Sequence, residues 1–194
     1  MRTLLIALLF LPTVALAQSA PTVVPPSNEP APSAQQLAEA RVLQTFIDES
    51  AVPCQTRPAK ECVDLGWRYA AAKPRDGLTV DDLQKLRTQL GSWFEVNKAL
   101  LPARTRASFA LGLMLADGMG MERLHAGFDT NHDGKVSQQE LLADVKMDNR
   151  PLGQVLADPA AVDRAGVARR LGLPPALTDG LFRAGTQSAQ QPAR

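Results

Sequence analysis

Between Phe128 and Leu142 the chain reads FDTNHDGKVSQQELL, which sets Asp129, Asn131 and Asp133 on alternate residues, then Gly134, then Glu140. Side-chain oxygens crowded in this way repel one another unless a cation stands between them. A hard dication such as Ca²⁺ takes six to eight oxygens at about 2.3–2.6 Å, so a loop of twelve residues must curl around it and offer donors from several places. Asp129, Asn131 and Asp133 supply side-chain oxygens from the first, third and fifth places, Lys135 a backbone carbonyl from the seventh, and Ser137 a hydroxyl, direct or through water, from the ninth. Glu140, in the twelfth place, is long enough to reach back with both oxygens, and Gly134 stands where the chain must turn with positive φ. The competing reading is a polar turn closed by a capping box from Ser137 to Glu140, which accounts for those two residues and leaves the alternating acids unexplained.

The stretch from Asp129 to Glu140 resembles an EF-hand Ca²⁺ loop at every ligand place, and the chain is similar to exported EF-hand proteins with one intact loop. The resemblance covers the loop and its flanking helices and leaves most of the 194 residues outside it. It implies that Val136, in the eighth place, pairs with its counterpart in a neighbouring loop. It also implies that Met121, Leu124 and Phe128 before the loop, and Leu141, Leu142 and Val145 after it, form buried sides of the two helices. Three acidic ligands leave the site near net −1, and a flexible loop with a bidentate Glu140 favours Ca²⁺ over Mg²⁺, which prefers small octahedral sites and keeps its waters. The two histidines invite a transition-metal reading, but His132 falls at a non-ligand place facing water and His125 on the apolar side of the incoming helix.

One helix-loop-helix leaves an apolar side open, so a partner is expected, and DGLTVDDL is the candidate. With Asp76-Gly77 set against Asp133-Gly134 and one residue deleted, Leu78 falls opposite Val136, Thr79 opposite Ser137 and Asp82 opposite Glu140. Ala72 and Pro74 stand where the first and third oxygens belong. Trp67 to Leu90 therefore resembles a degenerate, metal-free hand whose Leu78 meets Val136; the alternative is an ordinary turn and helix cap.

The elements that must carry these loops read as helices throughout, because apolar residues recur three and four apart and no segment alternates with β-branched enrichment. The expected fold class is all-α. Helices are expected over Ser33–Ile47, Cys62–Ala72, a segment capped by Thr79 and running past Leu90, a long apolar-rich segment from Ala107 to Phe128 with a break near Asp117-Gly118, and Ser137–Lys146. Short helices are expected over Leu152–Ala157, Ala160–Leu171 and Ala176–Arg183, punctuated by Pro159, Pro174 and Pro175.

At the amino end Arg2, an apolar run from Leu4 to Leu11, Pro12, and Ala15-Leu16-Ala17 read as a secretory signal peptide, residues 1–17, cut after Ala17. The run covers only about 12 Å of helix against roughly 30 Å of hydrocarbon, too short for an anchor. A periplasmic or secreted location follows, with no membrane span after cleavage. Residues 18–36, holding five prolines and hardly any charge, read as a disordered linker, residues 37–184 as the helical domain, and residues 185–194 as a disordered tail. In an oxidising compartment Cys54 and Cys62 are most simply a disulfide, worth about 2–3 kcal/mol on the chain-entropy account. With 21 basic and 20 acidic side chains, one of the basic ones in the leader, the strong positive field that nucleic-acid binding needs is missing.

An enzyme is the alternative class. Glu49-Ser50 and Gly112-Leu113-Met114 resemble elements of lytic transglycosylases, murein-cleaving enzymes in which the glutamate is the general acid, but Leu115 stands where a glutamine belongs. No nucleophile elbow, phosphate loop or zinc-protease motif is present in the sequence. Dockerin-like attachment is a second alternative, weakened by the single complete loop. The expectation is a calcium-binding, non-catalytic module, structural or calcium-dependent in its interactions, with an unidentified protein partner.

Overall fold

Ser33 starts the first helix by a reciprocal cap: its hydroxyl accepts from the Gln36 N–H at 3.2 Å while the Gln36 side chain accepts from the Ser33 N–H at 2.8 Å. The computed structural model describes residues 31–174 together with Ala176 and Thr178. The signal peptide, most of the linker, the tail and most of the helix expected over Ala176–Arg183 lie outside the described residues. Helix α1, Ala34–Thr56, includes residues 34–36, which composition alone places in the linker. It also runs nine residues past Ile47 and carries Pro53 in its last turn, where a missing N–H removes only one ladder bond.

Cys54 and Cys62 are bonded, tying the end of α1 to α2, Ala59–Ala70. The buried face of α2 is Ala59, Cys62, Val63, Gly66, Trp67 and Ala70, a spacing of three and four that settles the phase of this segment. Thr79 caps α3, Val80–Asn97, with Asp82 returning the hydrogen bond as the sequence leads one to expect. A single 3-10 turn, Lys98–Leu100, leads to α4, Ala103–Met119. The break between α4 and α5, Met121–Phe128, falls at Gly120 with φ 76°, two residues beyond the expected Gly118.

Ser137 caps α6, Gln138–Leu142, which ends four residues before Lys146. Tertiary pairing shortens it: Lys146 N–H donates to the Ala161 carbonyl at 2.7 Å and Asp163 N–H to the Asp144 carbonyl at 2.9 Å, an antiparallel bridge centred on Val145 and Val162. The same pairing delays the last described helix. Helix α7, Leu152–Ala157, is followed by α8, Arg164–Leu171, capped by Asp163, rather than by a helix starting at Ala160.

The fold is all-α; among the described residues strand pairing is limited to two isolated bridges. α1 lies mainly along α3, with Trp93 Nε1 donating to Gln44 and Ser92 to Glu39, a hydroxyl donation that lowers the Glu39 pKa. Phe46 stacks on Tyr69, whose phenol is pushed up to about 12 by burial. One core joins all these elements, with Leu78, Leu90, Phe128, Val136, Leu141, Val155 and Val167 fully enclosed. No described helix is long and apolar enough to cross a membrane.

Candidate metal-binding loop

Two helix-loop-helix units face each other across their loops: α2-loop-α3 and α5-loop-α6. Their contact is a short antiparallel bridge in which Leu78 N–H donates to the Val136 carbonyl at 2.8 Å and Val136 N–H returns to Leu78 at 2.9 Å. Both side chains are 1% exposed, so the pairing suggested by aligning DGLTVDDL with DGKVSQQEL is found. His125, buried on α5, sets Nε2 3.1 Å from the same Leu78 carbonyl, so the packed aromatic expected there also serves the bridge. A further tie, Gln138 Nε2 to Asp64 at 2.7 Å, links α6 to α2. Asp64 feels burial raising its pKa, but this and the neighbouring Lys60 outweigh it, and the carboxyl sits below its usual range.

Within the second loop the acids fold onto backbone donors. Asp129, buried at the end of α5, accepts from Asp133 N–H at 3.2 Å with one oxygen and from Gly134 N–H at 3.0 Å with the other. Asn131 accepts from Asp133 N–H at 3.0 Å and donates its amide to Asp133 at 3.1 Å, while Asp133 accepts from Lys135 N–H at 2.9 Å. Asn131, Asp133, Lys135 and Ser137 lie at the exposed rim, as does His132, whose φ of 59° is left-handed.

Glu140 spans the loop. One oxygen accepts from Ser137 N–H at 2.9 Å and its hydroxyl at 2.8 Å; the other accepts from Thr130 N–H at 2.8 Å, the Thr130 hydroxyl at 2.9 Å and Asn131 N–H at 3.1 Å. Burial pushes its pKa up, but the Ser137 and Thr130 donors prevail and hold it down at about 2. The carboxylate is therefore ionised and reaches from the twelfth place back to the second and third.

The donor chemistry fits a hard cation: carboxylate, amide and hydroxyl oxygens on one loop, with no sulfur and no imidazole turned to the task. As arranged, no three His, Cys, Asp or Glu side chains among the described residues stand close enough together to hold an ion, and both Glu140 oxygens are occupied by N–H and O–H donors. The loop is thus closed by hydrogen bonds at the place where the resemblance puts the cation clamp.

Thr130 was not legible as a functional residue because the second place in such a loop is not a ligand place. The bridge between Val145 and Val162 is likewise absent from the sequence expectations. Its signal was present: Val162-Asp163 repeats Leu78-Thr79 and Val136-Ser137, an apolar residue in extended backbone followed by a helix cap. Glu49 lies on an exposed stretch of α1, Ser50 is buried with its hydroxyl on the Phe46 carbonyl, and Gly112 and Leu113 are buried in α4. Compared with known protein families, curated proteins and solved structures, the chain matches none.

Proposed function

We propose that this chain is an exported calcium-binding protein with one metal-holding EF-hand loop, Asp129 to Glu140, backed by a metal-free hand. Asp129, Asn131, Asp133 and Glu140 would hold the ion through side chains, Lys135 through its carbonyl and Ser137 through its hydroxyl or a water. What supports the reading is the reach of Glu140: its ionised carboxylate already closes the ring onto Thr130 and Asn131, so a change of partners rather than of fold would turn it to a cation. The protein would serve as a structural or calcium-dependent interaction module for another protein, in the periplasm or outside the cell. The disulfide is compatible with that location.

Calorimetric titration of ion-stripped protein with Ca²⁺ tests this. Heat should appear on addition, and at a hundred times the dissociation constant the ion should add about 2.7 kcal/mol to stability. Absence of both would sink the proposal, and undiminished binding by Glu140→Gln would remove the clamp. Dye binding to apolar surface separates the two modes of use: a rise with calcium marks a module that opens, an unchanged signal one that the ion merely holds together.

A further inference from the structure

A carboxylate offers about four lone-pair sites, so the donors already resting on each acid of the second loop fix what room it keeps for a cation. Asp129 takes two, Asp133 N–H on one oxygen and Gly134 N–H on the other. Asp133 also takes two, from Lys135 N–H and the Asn131 amide, and the Asn131 carbonyl takes one, from Asp133 N–H. These three keep lone pairs to offer. On Glu140 five donors converge, three on the oxygen turned to Thr130 and Asn131 and two on the oxygen turned to Ser137. Of these acids Glu140 alone must exchange partners before it can hold an ion.

The five donors are not alike. Three are backbone N–H groups set by the path of the loop, and the Ser137 hydroxyl is at once the cap of α6 and a proposed ligand. The Thr130 hydroxyl, 2.9 Å from Glu140, is neither. It belongs to the second place, outside the proposed ligand set, on an exposed residue whose hydroxyl water can solvate once it is released. Closure of such a unit does not need it. In the metal-free hand the far oxygen of Asp82 is held by the Ala72 N–H at 3.1 Å, and alanine brings no hydroxyl.

A hydroxyl that donates to a buried carboxylate in the ion-free state, and returns to water when the carboxylate turns away, stabilises the first state and not the second. Building on the calcium reading above, we propose that Thr130 is a latch on the loop: its hydroxyl holds Glu140 against the backbone and raises the calcium concentration at which the loop fills. A hydrogen bond to a charged group is strong enough for the latch to weaken binding about tenfold, so the loop fills only where calcium is plentiful.

Calorimetric titration with Ca²⁺ and urea unfolding of the ion-free protein, on the wild type, Thr130→Val and Thr130→Ser, test this. Thr130→Val keeps the branched shape and the backbone N–H and removes only the hydroxyl. It should bind calcium about tenfold more tightly than the wild type, while its ion-free form unfolds at lower urea. Thr130→Ser should match the wild type in both, because it retains the hydroxyl. Ser137→Ala should shift affinity the opposite way, since it removes a proposed ligand, so a general loosening of the loop does not mimic the latch. In the calcium-loaded wild type the Thr130 amide proton should move upfield as the carboxylate leaves it. A Thr130→Val chain that binds no more tightly than a calcium-binding wild type overturns the latch and leaves the calcium reading standing. So does an ion-free Thr130→Val as stable as the wild type, a serine variant that behaves like valine, or an unmoved amide in the loaded protein. Heat from Thr130→Val alone supports a latch that holds the wild type shut. No heat from any of the chains overturns the latch together with the calcium reading.

Discussion

The two loop units share one plan, a bridge beside a positive-φ glycine, and differ in length and chemistry. In the first, Asp82 accepts from Thr79 N–H and hydroxyl with one oxygen and from Ala72 N–H with the other, at 2.9 to 3.1 Å. In the second, Glu140 accepts from Ser137 N–H and hydroxyl and reaches Thr130 N–H. A loop one residue shorter thus goes with an acid one methylene shorter. Where the second loop is braced by Asp129 on Gly134, the first is braced by Trp67 Nε1 on the Pro74 carbonyl at 2.9 Å. A bridge and one reaching acid therefore suffice to build the unit. The carboxylate at 129 and the amide at 131 have only Ala72 and Pro74 opposite them in the first loop, and under the proposed function they are donors to the ion.

The most damaging way to break the comparison is through what the units share. Leu78→Ala should cost about 2–5 kcal/mol in urea unfolding, since it empties a site closed on all sides between the two loops. A loss below about 1 kcal/mol would mean the loops do not depend on each other.

Next come the paired glycines. Gly77 has φ 95° and Gly134 φ 81°, so alanine is strained at either, by about 1–2 kcal/mol. At Gly77 a Cβ would also lie 2.9 Å from the Val136 carbonyl, whereas at Gly134 it meets nothing within 4 Å. Gly77→Ala should therefore lower the thermal midpoint clearly more than Gly134→Ala; equal losses would show that the bridge yields freely.

The pH response should belong to the second unit. Glu140 has its pKa depressed to about 2, so the stability it contributes is complete above its ordinary 4.5 and drains away as pH falls through the folded value. Without calcium, the stability of the wild type should decline more steeply than that of Glu140→Gln over this window. Parallel curves would detach Glu140 from the loop's closure.

The smallest effect compares the caps. Thr79→Ala and Ser137→Ala should each cost about 1 kcal/mol without calcium, by chemical denaturation. With calcium present only Ser137→Ala should also weaken ion binding, because only that hydroxyl belongs to the proposed ligand set.

The caps at Ser33, Thr79 and Ser137, and the all-helical class, were legible because capping and periodicity are local: the residues that decide them lie within four positions. So was the pairing of Leu78 with Val136, through the repeated motif around Gly77 and Gly134. The extent of α1 beyond Ile47 was not, because the apolar spacing that marks the helix stops there, and the tolerance of Pro53 at its end is seen only in the fold. The early end of α6 and late start of α8 were also hidden, since the bridge at Val145 and Val162 joins segments seventeen residues apart.

The sequence by itself determined which oxygen-bearing residues stand in the loop, their order along it and the disulfide partners, because these are properties of residue type and spacing. Only the tertiary structure decided that Glu140 rests on Thr130 and Ser137, that His125 braces the bridge, and that one side of α4 is left in water. Each depends on which groups compete for the same donor or the same surface, and those competitors arrive from elsewhere in the chain.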